Sequence, residues 1–582
     1  MTNLEKLVIA ISSILTITST INISYASDSL STYNNKSTLV DAAPVNGKLG
    51  TTMRNIGHFS STTQDDLAIS VPGKGIGYVI FGTKNSAFTQ VANIDKFKPE
   101  EALKIIYPSK ETWDVNRVGD LNGDGFDELI VSSVQDGHRV YIIWGGEQNK
   151  SETTNVINLL DIDKGDNSRG VRIFSPDDWF GTSVAGISYF NKDGKIRDLA
   201  IGNIDSIGGR GSVTVIAGKK SSVGSWKNID LESKGTGWDK VLVAKNNHVT
   251  AFIAPQIGPD DGRTNALHPS NVNLGAQITS VGDINGDGKD DFVVVDPYAQ
   301  NYGGSEEKSI IGQGTAYLIY GSDTEIDHLK LSEMSASKAT RLHGMAGSLL
   351  GQAGPNEQSI NNGTVTGIGR CFFHGDKKGP ASFAISAPQY RGSDGQRSGV
   401  VWLIKGKTSQ VGENGSLMLD TYHTAVNYTK QFSREDGYAI RSSRLGSAGM
   451  GFGTNITVQA TTDYSNDKPS IVSECENLII SDPNAMRNGN QTEKAGAVYV
   501  IPYNTNFDEY ADDDGTIIID DLLMNKNVKV YWGDTNNGVY GTTVASGKFF
   551  GNQFDSPIAI SSPAYNSNSG KVDFVGKSGV AF

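Results

Sequence analysis

The sequence predicts an all-β fold built from repeated units, and three observations support this prediction. Glycine, asparagine and aspartate alternate with short runs of valine, isoleucine and tyrosine, a pattern typical of many short strands joined by turns. Glycine accounts for 68 of the 582 residues and proline for only 17, so the chain is rich in turns without being of low complexity. One acidic loop also occurs twice between two strand-like runs, which is typical of a repeat array.

The repeated loop reads VGDLNGDGFDELIVS at Val118–Ser132 and VGDINGDGKDDFVVVD at Val281–Asp296. Hard cations such as Ca²⁺ take about six to eight oxygen ligands, and a turn at a glycine lets nearby residues wrap the ion. The side chains at alternating positions carry oxygen, and an acid at the ninth position would close the ring of ligands. The backbone carbonyls of Phe126 and Lys289 would each supply one more oxygen. The predicted ligands and their glycines are Asp120, Asn122, Asp124, Gly125 and Glu128 in the first copy, and Asp283, Asn285, Asp287, Gly288 and Asp291 in the second.

These loops differ from an EF-hand, which needs a glutamate at position twelve and a following helix. Position twelve is Val131 or Val294, and the β-branched run around it is typical of a strand. The sequence therefore predicts two Ca²⁺ sites in loops between strands. The alternative is an acidic turn that binds no metal.

The two loops resemble the cation loops of FG-GAP repeats, the blades of the integrin α-subunit β-propeller, and related repeats occur in many secreted bacterial proteins. The resemblance extends over most of the chain, because seven units that begin with a Phe-Gly-like pair can be placed along it. These units start near residues 49, 113, 180, 274, 350, 452 and 540. The resemblance implies a seven-bladed β-propeller over residues 37–582, with about four strands in each blade.

Several units depart from the family pattern. The first loop has His58, Ser60 and Thr62 where acids are expected, and the second unit starts with Trp113-Asp114. The third loop keeps Asn191, Asp193 and Gly194, but it starts with Tyr189 and has one extra residue before Asp198, so metal binding there is left open. The last three loops lack acids at the required positions.

Closure of the ring is expected from the N-terminal side. An open terminal blade would expose an unpaired edge strand. The seventh unit supplies three strands before Phe582. In the family the missing fourth strand comes from upstream of the first unit, which here corresponds to Lys36–Val45.

The N-terminus has the pattern of an export signal. Leu7–Ile23 is apolar with interspersed hydroxyl residues, and Ser24-Tyr25-Ala26 has small residues at the two positions that determine cleavage. We expect residues 1–26 to be removed, residues 27–36 to form a linker, and the mature chain to be secreted or at the cell surface or in the periplasm. The alternative is a signal anchor that stays in the membrane. No other segment has the apolar length of a transmembrane span.

Charge and cysteine content narrow the classes of function. A net charge of −13 and a pI of about 5.2 argue against binding to nucleic acid or to anionic lipid. Cys371 and Cys475 are too few for a disulfide scaffold, and they could form one bridge or remain two buried thiols.

One long insertion contains two histidines and two aspartates, His248, His268, Asp260 and Asp261. These residues could form a metal or acid–base cluster, although loop polarity explains them as well.

In the family, the calcium loops lie on the lower face of the ring and the partner-binding loops on the upper face. Here the long insertions fall in connections of the upper kind: Asn246–Asn273, Tyr298–Gly314, Tyr390–Gly399 and Asn484–Gly496. Loops on a rigid scaffold often carry binding function. We therefore expect an adhesion or recognition module for a protein or glycan. The alternatives are a secreted hydrolase or lyase with its site on the upper face, and a structural component of a surface assembly.

Overall fold

A computed structural model describes the chain from residue 37 to residue 575. The described residues exclude 41–45, 84–90, 110–112, 134–137, 151–154, 189–195, 205, 223–224, 236–240, 246–248, 255–272, 300–312, 322–327, 332–333, 346, 353–362, 375–378, 391–398, 420–429, 443–450, 461–475, 487–494, 534–538 and 551–556. Within this part of the chain, no helix is both long and apolar enough to cross a membrane.

Seven sheets, each antiparallel in its first four strands, form a ring, so the chain folds as a seven-bladed β-propeller, as the sequence predicts. The first strand of each blade contacts the first strands of the two neighbouring blades. Blade 1 consists of Met53–Gly57, Asp66–Val71, Ile76–Ile80 and Ala102–Ile106. Blade 2 consists of Trp113–Gly119, Glu128–Ser133, Arg139–Ile143 and Gly170–Phe174. Blade 3 consists of Phe180–Ile187, Asp198–Asn203, Ser212–Ile216 and Thr250–Ala254.

The remaining blades follow the same meander. Blade 4 consists of Gln277–Gly282, Asp291–Asp296, Thr315–Ile319 and Ala339–His343, and blade 5 consists of Val365–Gly369, Ser382–Ala387, Val400–Ile404 and Gly437–Arg441. Blade 6 consists of Ile456–Ala460, Glu476–Asp482, Ala497–Ile501 and Lys529–Trp532. Blade 7 consists of Val544–Ser546, Ile558–Ser562, Lys571–Val575 and the N-terminal strand Ser37–Val40. The fifth sequence unit was expected to start near residue 350, and the first strand of blade 5 begins later, at Val365.

Helices in the described residues are single turns at connections. The α-helical turns are Leu159–Asp163, Ser206–Gly209, Cys371–His374, Ile519–Leu522 and Tyr565–Asn568, and the 3₁₀ turns are Pro72–Lys74, Ile94–Lys96, Glu147–Asn149 and Phe507–Glu509. Cys371 is disulfide-bonded, which favours the bridge over two thiols, and the other cysteine of the sequence, Cys475, lies outside the described residues.

The apolar core lies between adjacent blades. The second strands of blades 1 and 3, Asp66–Val71 and Asp198–Asn203, are buried at every residue. A strand that is covered on both faces does not need alternating polarity, so these strands read as nearly continuous apolar runs. One cluster joins blades 2 and 3, and another joins blades 4 and 5.

The apolar–glycine pair at the start of most units packs one blade against the next. Gly453 of blade 6 has a φ of +84°, and an added Cβ atom would lie 2.8 Å from the Cβ atom of Ser386 in blade 5. Its N–H donates to the carbonyl oxygen of Ser481 in its own blade at 2.8 Å. Only glycine combines this backbone conformation with so close an approach, which explains why the pair recurs.

Ring closure occurs as predicted. Ser37–Val40 pairs antiparallel with Lys571–Phe574, and Leu39 is fully buried between neighbouring blades. The hydroxyl of Thr38 donates to Asp573 Oδ1 at 2.8 Å. The rest of the predicted closing segment, residues 36 and 41–45, lies outside the described residues.

Two features differ from the expected four-stranded blade. Six blades carry a short fifth strand that runs parallel to the fourth, and blade 2 adds Val241–Ala244 beyond it. The fifth strand is Val156–Asn158 in blade 1, Ile229–Lys234 in blade 2 and His328–Lys330 in blade 3. It is Ser416–Met418 in blade 4, Thr516–Ile518 in blade 5 and Val91–Asn93 in blade 7. The expectation that Asn246–Asn273 is wholly an inserted loop is wrong, because its Thr250–Ala254 portion pairs with Ser212–Ile216 as the fourth strand of blade 3.

Candidate metal loops

The two predicted cation loops join the first and second strands of blades 2 and 4. In both of these blades the first strand has a register shift just before the loop, at Arg117–Gly119 in blade 2 and at Ser280–Gly282 in blade 4. Gly119 and Gly282 have φ values of +82° and +83° there. The same backbone irregularity therefore presents both loops.

Backbone amides of the first loop converge on Asp120. Its Oδ1 accepts from the N–H of Gly123 at 2.6 Å, and its Oδ2 accepts from the N–H of Gly125 at 2.9 Å. Asn122 Oδ1 accepts from the N–H of Asp124 at 2.9 Å, and Asp124 Oδ1 accepts from the N–H of Phe126 at 3.0 Å. These local bonds fold the loop tightly around its oxygen atoms.

The second loop repeats most of this framework. Asp283 Oδ2 accepts from the N–H of Gly288 at 3.0 Å, Asn285 Oδ1 from that of Asp287 at 3.0 Å, and Asp287 Oδ1 from that of Lys289 at 2.9 Å. The two loops thus share their geometry as well as their sequence.

The closing acids, Glu128 and Asp291, are fully buried. Glu128 Oε2 accepts from the N–H of Leu121 at 2.6 Å, and Asp291 Oδ2 accepts from that of Ile284 at 2.7 Å. Burial raises the pKa of both carboxyls well above the ordinary value, and repulsion from the other loop carboxylates adds to this effect. Burial also raises the pKa values of Asp120 and Asp283.

A closing acid also occurs in two loops that depart from the full ligand pattern. Asp66 in blade 1 accepts from the N–H of Gly82 at 2.7 Å, and Asp198 in blade 3 accepts from that of Gly218 at 2.9 Å. Asp291 makes the same bond to Gly321 at 2.7 Å. This acid therefore anchors the end of the third strand of a blade with or without a metal, a role that sequence reasoning missed.

The loop side chains do not form a ready-made cluster of carboxylates. Among the residues that the structure describes, no group of three or more His, Cys, Asp and Glu side chains is arranged to hold a metal ion. In the first loop the amide nitrogen of Asn122 donates to Asp124 Oδ2 and to Glu128 Oε1, both at 3.1 Å. Two carboxylates thus share one amide group.

One observation in the second loop fits a cation. Asp283 is 4% exposed, and its Oδ1 atom is buried without a hydrogen-bond partner. A buried carboxylate oxygen that lacks a partner is costly. All side chains predicted as ligands in the two loops offer oxygen, the donor that Ca²⁺ prefers, so the residues fit the ion.

The loops also contact the neighbouring blades. The N–H of Arg197 in blade 3 donates to the carbonyl oxygen of Asp120 at 2.8 Å, and the N–H of Ala381 in blade 5 donates to that of Asp283 at 2.6 Å. The guanidinium of Arg197, which is 2% exposed, contacts Asp290 at 2.9 Å. Blade 3 therefore links the two loops.

Two further arginines at this face were missed by sequence reasoning. Arg117 pairs with Asp127 at 2.8 Å, and Arg370 contacts Asp283 Oδ2 at 3.3 Å. The acid before the closing acid, Asp127 or Asp290, occurs in both copies of the loop and was the available signal. Arg117 lies in the first strand of blade 2 and Arg370 follows the first strand of blade 5, and neither had such a signal.

The central channel is polar and carries positive charge. A cavity of about 230 Å³ is lined by residues of all seven first strands, including Arg54 and Arg117. Its lining among the described residues contains no aspartate, glutamate or histidine. General acid–base chemistry by carboxylates or imidazoles therefore has no described side chain in this channel.

Several predicted positions lie outside the described residues. These are Tyr189, Asn191, Asp193 and Gly194 of the third loop, the cluster of His248, Asp260, Asp261 and His268, and most of Tyr298–Gly314, Tyr390–Gly399 and Asn484–Gly496.

No family model matches the chain, and no curated protein matches it.

Proposed function

We propose that this chain is an exported, calcium-binding β-propeller of the FG-GAP type that recognises a protein or glycan partner. The observation that carries the calcium proposal is the buried, unpartnered Oδ1 atom of Asp283, within a loop whose other candidate side-chain ligands all offer oxygen. A bound cation would compensate that oxygen and would offset the burial, and the smaller repulsion between carboxylates, that raise the pKa values of Glu128 and Asp291.

Calcium would stabilise contacts between blades as well as the loops themselves. The carbonyl groups of Asp120 and Asp283 already accept hydrogen bonds from blades 3 and 5. An ion that orders either loop would therefore order an interface between blades. This supports a structural role for the metal, on the face opposite to the proposed recognition surface.

Recognition is assigned to the other face on geometric grounds. Successive strands of a blade are antiparallel, so the connections from second to third strands open on the face opposite to the metal loops. A rigid ring that displays long connections suits the recognition of a partner, because loops on a rigid scaffold often carry binding residues.

Isothermal calorimetry and thermal unfolding with calcium and with chelator test the metal sites. We expect two bound Ca²⁺ and a higher melting temperature in calcium, because an ion that binds only the folded state stabilises it. Asp124→Ala and Asp287→Ala should each remove one site. As a control, the exposed Asp513→Asn should change neither number. Equal melting temperatures in calcium and chelator, with no binding heat, would refute the calcium proposal.

Affinity capture with residues 27–582 tests recognition. A captured partner should be retained by Asp124→Ala and Asp287→Ala at temperatures where the variants are folded. If these variants lose the partner, calcium belongs to the recognition site and the division between faces is wrong.

A further inference from the structure

The first strands of the blades carry a ring of seven equivalent positions around the central channel. Each position pairs with the residue at the same register in the second strand of its blade, for example Arg54 with Ala68 and Thr279 with Val293. The partner stands two positions after the closing acid in blades 1 to 4. In blades 4 to 7 it stands two positions before the carbonyl that accepts from the glycine at the start of the unit. The seven positions are Arg54, Asn116, Ala185, Thr279, Thr366, Thr457 and Ala545.

Five of these seven residues are polar and half-buried, and all five line the channel cavity of about 230 Å³. One water molecule needs only about 10–15 Å³ of such space, so the cavity has room for a small ligand. The five polar residues at this level are Arg54, Asn116, Thr279, Thr366 and Thr457.

These side chains offer hydrogen-bond donors. A guanidinium group such as that of Arg54 carries five N–H donors in a fork that matches a carboxylate or a phosphate. An amide nitrogen has two N–H groups, and Asn116 Nδ2 uses one of them on the carbonyl oxygen of Val184 at 2.7 Å. Thr279 Oγ1 accepts from Gln277 Nε2 at 3.4 Å, so its own proton is available to a ligand. A ligand that only accepts hydrogen bonds, such as an oxyanion, therefore suits this level of the channel.

Arg54 supplies the positive charge at this level. The second arginine of the described lining, Arg117, pairs with Asp127 at 2.8 Å. The charge of Arg54 acts on the carboxyl of Asp114, which is 1% exposed. Burial nevertheless raises the pKa of Asp114 above its ordinary value. A carboxyl that ionises reluctantly is a weak counter-charge, so Arg54 keeps its attraction for an anion.

The net charge of −13 does not oppose this attraction inside the channel. Salt screens exposed charges that are more than about 8 Å away at physiological ionic strength. A guanidinium on the wall of a channel acts at short range through protein of low dielectric constant, which strengthens its field. The local charge of Arg54 therefore outweighs the distant acids.

We propose that the central channel binds a small oxyanion, with Arg54 as the charged contact and with Asn116 and the channel threonines as neutral donors. Carboxylates and tetrahedral oxyanions share the chemistry that these donors recognise. The site lies within the ring, so it is separate from the metal loops and from the proposed recognition surface.

Isothermal calorimetry of residues 27–582 with succinate and with sulfate tests the site, at a fixed calcium concentration and constant ionic strength. We expect saturable binding of one anion per chain, and two anions that both bind should compete. Binding of only one of them would support the site and would identify the ligand as a carboxylate or as a tetrahedral oxyanion. The absence of saturable binding with both anions would overturn the proposal.

Arg54→Gln should weaken anion binding at least about tenfold, because a hydrogen bond to a charged group contributes more than a neutral one. Arg434→Gln is the matched control, since it removes an arginine that pairs with Asp508 and does not line the described channel. Unchanged binding in Arg54→Gln would place the anion elsewhere and refute the assignment.

A second pair of variants decides the question if Arg54→Gln does not fold, as judged by thermal unfolding. Thr366→Val/Thr457→Val removes two channel hydroxyls at nearly constant shape and should weaken binding about fivefold or more. Thr51→Val/Thr542→Val is its control, because these hydroxyls donate to the carbonyls of Lys48 and Val539 instead of lining the channel. Equal affinity in these two folded variants would also overturn the proposal.

Discussion

Arg370 distinguishes the second metal loop from the first. Its guanidinium lies 3.3 Å from Asp283 Oδ2 and is about one-third exposed, whereas Asp283 is buried. In the described structure the corresponding acid of the first loop, Asp120, has no such ion pair. A fixed positive charge beside a ligand opposes a second positive charge.

We therefore expect Arg370→Gln to tighten calcium binding at the second site by roughly two- to fivefold, the range of a partly exposed ion pair. Calorimetry on a chain that also carries Asp124→Ala would isolate this site. Arg434→Gln, which removes an exposed pair with Asp508, is the matched control. Unchanged or weaker binding in Arg370→Gln would show that the arginine does not compete with the ion.

Asp482 is a buried carboxyl away from the metal loops. Its Oδ1 accepts from the N–H of Asn484 at 3.1 Å, and burial raises its pKa from 3.8 to about 7. The folded state therefore holds this proton more tightly than the unfolded state. By linkage, this carboxyl lowers the free energy of unfolding progressively as pH rises from 3.8 to about 7, with no further change above.

Asp482→Asn should remove this pH dependence. Relative to the unsubstituted chain, the variant should gain stability as pH rises through this window, by up to roughly 4 kcal/mol at about 1.4 kcal/mol per pKa unit. Urea unfolding in chelator across the pH range measures the difference, with the exposed Asp513→Asn as control. A constant difference between Asp482→Asn and the unsubstituted chain would contradict the assignment.

At the scale of elements, the segment before the second strand of blade 3 connects its neighbours. Arg197 binds the carbonyl of Asp120 in blade 2 through its backbone and Asp290 in blade 4 through its side chain. The arginine is almost completely buried, so its loss leaves Asp290 without its counter-charge. Breaking a buried pair on one side costs more than removing both charges.

Arg197→Met should lower the free energy of unfolding by about 3 kcal/mol, and Arg197→Met/Asp290→Asn should recover part of that loss. Denaturant unfolding of the two single variants and the double variant, in chelator, gives the coupling free energy. Strict additivity would mean that the two side chains do not interact in solution. Arg172→Met, which breaks a more exposed pair with Asp230, should cost much less.

At the scale of the whole molecule, the ring is held closed by one short strand. Ser37–Val40 covers the edge of Lys571–Val575, and the fully buried Leu39 packs between blades 7 and 1. No covalent link joins these two segments in the described structure. Closure therefore depends on strand pairing and apolar burial.

Deleting residues 27–45 from the mature chain should expose the edge of blade 7 and cause aggregation or loss of cooperative unfolding. Light scattering and thermal unfolding of the truncated chain measure this. A chain that starts at residue 35 is the control and should behave like the mature protein. A monomeric truncated chain with an unchanged melt would show that the ring does not need this strand.

The all-β class, the repeated blade and the two acidic loops could be predicted from the sequence, because each depends on neighbouring residues. A turn at Gly125 or Gly288 and the alternating oxygens beside it require only local geometry. The apolar–glycine pair at Phe452-Gly453 marks a blade for a similar reason, since only glycine fits its backbone conformation. The loop signal spans only nine positions, from Asp120 to Glu128 or from Asp283 to Asp291.

The links between blades were decided only by the tertiary structure. Arg197 and Asp290 are 93 positions apart, and Arg370 and Asp283 are 87 apart, so no local pattern pairs them. The fifth strands were missed because a three-residue strand has too weak a signal without the edge that it covers. The sequence by itself determined what each blade is made of, whereas the ring determined which charges and edges meet, because its closure brings distant segments of the chain together.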